Sequence, residues 1–548
     1  MKNMKNNINK SIIISLISLL SLVIFYYLFM YSVGYFHSNM MNMNGNNSNK
    51  NVSSEELIYW KNIEAIVEKK QEIVNLKEGD NYTIEIVKVK KMIWNKEVEM
   101  LSYNGSIPGP IIKAKVWTKA KITIVNKVPD LETTLHSHGL RLSDMFDWVV
   151  KDMMWKQDPI KYGSSFTYEV SFPDEWVFWY HPHLREDIQQ ELWLYWNYIV
   201  EPIWEDSNNF VNREGPIILD DILLNWDKVK PFYKDFTNYV LMWRFWNTMF
   251  VNGSSDYEFN MKSGEVVRAY ITDTANTRVF NLKIPWIKMK LIWSDIWKYE
   301  EEKFIESLII SPWERYIVDL YAPDSWIFEI LNSTTDEDII LWKVNVSSEK
   351  VDISFKDKFE TLNTNEIVKK DIENYRQYFS KEVDKKLALE LWNIGEKWWI
   401  DESDMWMMWW HMMWNNDEIE WDDNMPMMNK ESTSLNYEWK IIDEDTKKEN
   451  MDINWQFKKG DIIKIRIENK KDWAHPMQHP FHLHGQRFLV LERNGEKQTN
   501  LVWKDTVLIK TWENIEILAD MSNPWEWMAH CHISEHLFSG MMMHFSVK

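Results

Sequence analysis

Along most of the chain, apolar and polar residues alternate one for one over short runs, as in Tyr82 to Val87, Ala120 to Val125, Ser165 to Phe172 and Ile462 to Ile467. A period of two sends alternate side chains to opposite faces of a strand, so this pattern, running from about residue 72 onward, predicts an all-β protein. Polar stretches near 205–215 and 350–370 separate three strand-rich blocks. We expect sandwich-type domains over 72–205, 206–350 and 351–548. The alternation is absent in three places. Residues 11–31 are an uncharged apolar run of about 20 residues, long enough to cross a bilayer as a helix. Lys2, Lys5 and Lys10 precede it, which predicts a transmembrane signal anchor over 1–31 with the rest of the chain facing outward. A cleaved signal peptide is the alternative, but the run exceeds a usual signal core and no clear A-x-A site follows it. Residues 32–71 begin Asn-, Ser- and Met-rich and read as a flexible spacer. Residues 404–428 carry eight methionines, His411 and several acids, and read as an insert within the third block. Interleaved acids and asparagines without a helical period argue against a methionine-lined core there.

Charge narrows the possible partners. With 63 basic and 83 acidic residues the net charge is −20, which disfavours nucleic acid and favours cations such as metal ions. Either reading of the N-terminus exports the chain, yet Cys531 is its only cysteine, so no intrachain disulfide can form. The neighbours of that thiol point to a metal.

Histidine makes up 14 of 548 residues, and random placement would give roughly 0.4 His-x-His pairs. There are four: His136/His138, His181/His183, His482/His484 and His530/His532. On a strand, i and i+2 project to one face, so each pair presents two imidazoles together. Eight imidazoles can hold three coppers, and imidazole suits both copper oxidation states. Beside them Cys531, His479, His536 and Met541 supply a thiolate, two imidazoles and a thioether, the ligand set of a blue-copper electron-transfer site with methionine as weak axial ligand. Cys531 stands between His530 and His532, so such a site would be covalently adjacent to the three-copper ligands.

These motifs, including HPFHLHG at 479–485 and HCHISEHLFSGM at 530–541, resemble the laccase-like multicopper oxidases, and closest in pattern are the methionine-rich bacterial cuprous oxidases. The resemblance runs from about Asn104 to the C-terminus. It implies three cupredoxin-type Greek-key β-sandwich domains and four coppers, one of type 1, one of type 2 and two of type 3. It further implies that His136 and His482 bind the type 2 copper, that His138, His181 and His532 bind one type 3 copper, and that His183, His484 and His530 bind the other. The middle block would contribute no ligand. Dioxygen would be reduced to water, with Asp147 supplying protons. The family's second acid, after the histidine matching His536, is replaced here by Leu537, with Glu535 a neighbouring substitute. His37, His411, His475 and His544 fall outside these sets. Three functions compete: oxidation of Cu(I), favoured by the soft thioethers of 404–428; oxidation of phenols or other small organic reductants; and copper binding without turnover. The complete ten-histidine set argues against the last.

Tryptophan is 34 of 548 residues and glycine only 15, below 3% where about 7% is usual. Trp148, Trp176, Trp313 and Trp525 stand where the resemblance expects glycine, and positions after proline in turns often need positive φ. We read these as UGA codons that the source organism translates as glycine, with Trp179, Trp503 and Trp527 genuine.

Overall fold

A computed structural model describes residues 56–57, 63–147, 157–202, 210–242, 244, 247–395, 418–422, 426–470 and 477–548. The anchor run, Trp148, His37, His411, His475 and most of the methionine-rich insert lie outside these residues. Among the described residues no helix is long and apolar enough to cross a membrane.

The alternation becomes strands whose inner faces are dry. Along Lys119–Asn126 the side chains of Ala120, Ile122 and Ile124 are buried while Lys119 and Lys121 are exposed. Along Asp461–Asn469 it is Ile463, Ile465 and Ile467 that turn inward. Strands of this kind assemble into three pairs of sheets, in the cupredoxin-like manner. The first pair is two five-stranded sheets, the second and third each a six-stranded and a five-stranded sheet. Parallel pairing of non-consecutive strands, such as Ile111–Lys115 with Trp196–Glu201 and Lys385–Asn393 with Asp461–Asn469, gives the crossed connections of a Greek-key arrangement. The three largest apolar clusters among the described residues are built around Ile84, Ile122 and Tyr198, around Ile271 and Val318, and around Ile465 and Ile517; the first extends into 206–350 through Ile218, Tyr270 and Ile317, and the last takes in Val240 to Met242.

The polar stretch at 350–370 holds two helices, Lys356–Glu360 and Glu366–Arg376, rather than a bare connection. Only Phe359, Val368 and Ile372 are buried there, a stripe too sparse to register against so many charged neighbours.

Backbone conformation separates the tryptophans into two groups. Among the described residues, nine of the twenty non-glycine residues at positive φ are tryptophan: Trp94, Trp117, Trp176, Trp193, Trp226, Trp286, Trp313, Trp512 and Trp525. Bulky residues are outliers in this region. At Trp286 and Trp313 the reason is local. Ile287 N donates to Ile284 O and Glu314 N to Ser311 O, closing turns with proline second and tryptophan third. That is the type II pattern, whose third position takes glycine. Trp94 and Asn95, both at positive φ, form the two-residue connection closed by Ile93 and Lys96, where a type I′ turn needs left-handed residues. Trp179, Trp503 and Trp527 are buried and none has positive φ.

Candidate metal centre

Two antiparallel strand pairs carry the four histidine motifs. His136–His138 lies against Trp176–His181 with His136 opposite His181, and His479–Leu483 lies against Trp525–Cys531 with His482 opposite His530. Pairing in register places two motifs side by side on each sheet, and the two sheets bring all eight rings together in a buried centre.

The rings share one orientation. Nδ1 is tied outward: His136 to Asp147 Oδ1 at 2.8 Å, His484 to Asp147 Oδ2 at 3.2 Å, His482 to the Asp505 carbonyl at 2.8 Å and His530 to the Cys531 carbonyl at 2.9 Å. His181 Nδ1 meets the Pro182 carbonyl at 2.6 Å, and His183 Nδ1 meets Glu186 Oε1 at 2.7 Å. Nε2 then points inward. The Nε2 atoms of His183, His484 and His530 form a triangle with edges of 3.2, 3.2 and 2.9 Å. His138 Nε2 lies 3.2 Å from that of His181 and 3.1 Å from that of His532. His136 and His482 present Nε2 atoms with no partner, and with His138 they make a third group within 4.8 Å.

Three nitrogens in such a triangle lie about 2 Å from a common point, the length of an imidazole–metal bond. With Nδ1 carrying the proton they are lone pairs facing lone pairs, an arrangement that needs a cation. Charging the rings is no remedy, because burial and then the neighbouring histidines hold His138, His482, His484 and His532 well below the usual histidine range. The residues therefore fit three coppers, and copper is the cofactor.

A second group lies one residue away along the chain. Cys531 Sγ is 3.5 Å from His479 Nδ1 and 3.8 Å from His536 Nδ1, and those two nitrogens are 3.3 Å apart. His536 Nε2 donates to the Met242 carbonyl at 3.1 Å, which leaves Nδ1 as the ligand atom. Burial alone holds His479 down at about 3 and pushes the Cys531 thiol up, so in this dry pocket a thiolate requires a metal. Met541 is fully buried beside them, its N donating to the His536 carbonyl and its carbonyl accepting from Cys531 N. Trp439 covers both imidazoles, with ring centres 4.9 Å from His479 and 4.2 Å from His536.

Every ligand expected from the sequence is thus at one of two adjacent centres, and none of the metal-binding groups among the described residues draws on 206–350. That block still touches the site. Arg315 pairs with Asp505 at 2.7 and 2.8 Å. Leu537 is buried where the second acid was expected. Both carboxyl oxygens of the neighbouring Glu535 lack a hydrogen-bond partner, and burial, partly offset by Arg244, pushes that group up to about 8. Sequence reasoning missed Glu186, Gln190, Asp505 and Trp439. Only Glu186 carried a signal, three residues after His183 in a stretch able to form a helical turn.

Two family profiles, both described as multicopper oxidase, match residues 85–202 and 419–548. The multicopper oxidase mco of Staphylococcus aureus is 26% identical over 478 residues, covering 84% of this chain and 87% of its own. Multicopper oxidase MmcO of Mycobacterium tuberculosis is 22% identical, covering 81% and 82%. The fold is that of a multicopper oxidase from Campylobacter jejuni described as a metallo-oxidase, at TM-score 0.65 and 21% identity, covering 92% of this chain and 99% of that one. With eight inward Nε2 atoms, a thiolate site next to them and these relatives, the chain belongs to the multicopper oxidase family, as a copper-dependent oxidoreductase that uses dioxygen as acceptor.

Proposed function

We propose that His479, Cys531, His536 and Met541 hold a type 1 copper that takes electrons singly from a reductant, and that the eight paired histidines hold the cluster at which dioxygen becomes water. In that reading His136 and His482 are the type 2 ligands. His138, His181 and His532 serve one type 3 copper, and His183, His484 and His530 the other. When bound, copper supplies the redox chemistry: single-electron acceptance at the thiolate site and four-electron reduction of dioxygen at the cluster. The chain supplies the route. The observation that carries this reading is the contact between the centres, where His530 Nδ1 donates at 2.9 Å to the carbonyl of Cys531 itself. One peptide unit therefore joins the thiolate side chain to a cluster ligand. Asp147 accepts from two ligand rings and is the acid best placed to pass protons toward them. The favoured reductant is Cu(I), supported by the thioethers of 404–428; a phenol or other small organic reductant is the alternative.

The remaining assignments belong to the same reading. Residues 72–205, 206–350 and 351–548 are three cupredoxin domains, and residues 11–31 are a signal anchor that leaves them extracytoplasmic. Copper-loaded protein should bind four coppers and show an intense blue thiolate-to-copper absorption. Cys531→Ser should abolish the colour and about one copper per chain while the cluster coppers remain, measured by absorbance and elemental analysis. A variant that stays blue overturns the assignment.

A further inference from the structure

Of the eight cluster rings, His183 alone has its Nδ1 against a side-chain carboxylate from its own motif. Glu186 stands three residues later in the short helix Glu186–Gln189 and is fully buried. Its Oε1 is 2.7 Å from His183 Nδ1, an ion-pair contact without the alignment of a hydrogen bond, and its Oε2 is 3.9 Å from His532 Nδ1, an ion-pair distance too long for one. Gln190 Nε2 lies within reach of both that Oε2, at 2.9 Å, and His181 Nδ1, at 2.7 Å. One carboxylate thus faces two of the eight rings from behind, and the amide that donates to it abuts a third.

We infer that Glu186, held by Gln190, is a positioning residue that fixes His183 with its Nε2 atom turned inward and, through its approach to His532, links the two type 3 ligand sets to each other. The inference rests on the copper assignment above, since His183 belongs to one set and His532 to the other. A buried carboxylate facing Nδ1 selects the tautomer with the proton on Nδ1, which frees the lone pair on Nε2 for a metal. The placement also answers a gap in the sequence. The residue after His536 is Leu537, which can accept no hydrogen bond, so beside Asp147 at His484 the further acid facing type 3 rings comes from the second histidine motif instead of the fourth.

The test uses the full chain, loaded with copper, with copper itself as the probe. Bound copper per chain is counted against increasing chelator, and the blue absorbance is read on the same samples. Glu186→Ala should weaken retention of the cluster coppers by about 10- to 100-fold, the usual effect of removing a partner behind a metal-bound histidine, with the blue absorbance per chain unchanged. Glu186→Gln, whose amide oxygen can still accept from His183, should recover most of that loss. Gln190→Leu removes the amide that holds Glu186, together with its contact to His181, and should weaken cluster retention to an intermediate degree, which keeps the inference testable where Glu186→Ala fails to fold. Full cluster retention in Glu186→Ala or in Gln190→Leu overturns the inference, as does a loss of blue absorbance in parallel with cluster copper. Should the unaltered chain bind fewer than four coppers, it is the ligand assignment that fails, independently of Glu186.

Discussion

Asp147 accepts from His136 and His484 with its two oxygens, so at the scale of the single residue it touches both proposed kinds of cluster ligand. Asp147→Asn should therefore slow dioxygen consumption several-fold while copper content and blue absorbance stay as they were. Turnover equal to the unaltered chain would return Asp147 to capping the turn at 144–146. Glu535 carries a different expectation. Its carboxyl is raised by burial to about 8, so the folded chain holds a proton there that the unfolded chain gives up near pH 4.3. Stability from this group is complete below the unfolded value and is lost as pH rises toward 8, at about 1.4 kcal/mol for each pH unit. Glu535→Gln cannot ionise, so the variant should gain on the unaltered chain steadily between pH 5 and 8 in denaturant titrations; a constant difference refutes the raised value. The side chains that gather at the two centres were legible because metal chemistry restricts residue type and strand geometry restricts spacing. Glu186 and Asp505 were not, because their roles depend on which rings the fold brings behind them.

At the scale of the element, strands were readable from alternation and their pairing was not, since register depends on partners far along the chain. The helices at 356–360 and 366–376 were hidden by charge, their buried stripe amounting to three side chains. Turns were readable where proline marked them: Trp313 and Trp525 follow Pro312 and Pro524. Trp286 follows Pro285 in the same way yet lies outside the family motifs, and Trp94, Trp226 and Trp512 have no proline before them. Only the backbone angle exposes those. Trp226 and Trp286 are 82% and 86% exposed, so their indoles gain nothing from burial to offset the left-handed backbone. Trp226→Gly and Trp286→Gly should each stabilise the protein as written here by about 1 kcal/mol, and native protein should show glycine at the positive-φ set by peptide mass spectrometry. Tryptophan in the native peptides refutes the recoding. The methionine-rich element tests the reductant: deleting 404–428 should lower Cu(I) turnover several-fold and leave phenol turnover equal or higher. Equal loss on both substrates would make the segment structural.

On the scale of the whole molecule, the ligands come from two stretches separated by most of the chain, with His183 and His530 347 residues apart and His138 and His532 394 apart. With one cysteine, the chain has no intrachain disulfide to close so large a loop. Seen as a polymer, the copper cluster is the missing cross-link. Closing a loop of that length lowers the entropy of the unfolded ensemble by on the order of 5 kcal/mol, the scale of a whole domain's stability. Unlike a disulfide, this bridge forms and opens with metal supply rather than with redox potential. The durability of the protein is thereby coupled to the abundance of the metal it uses.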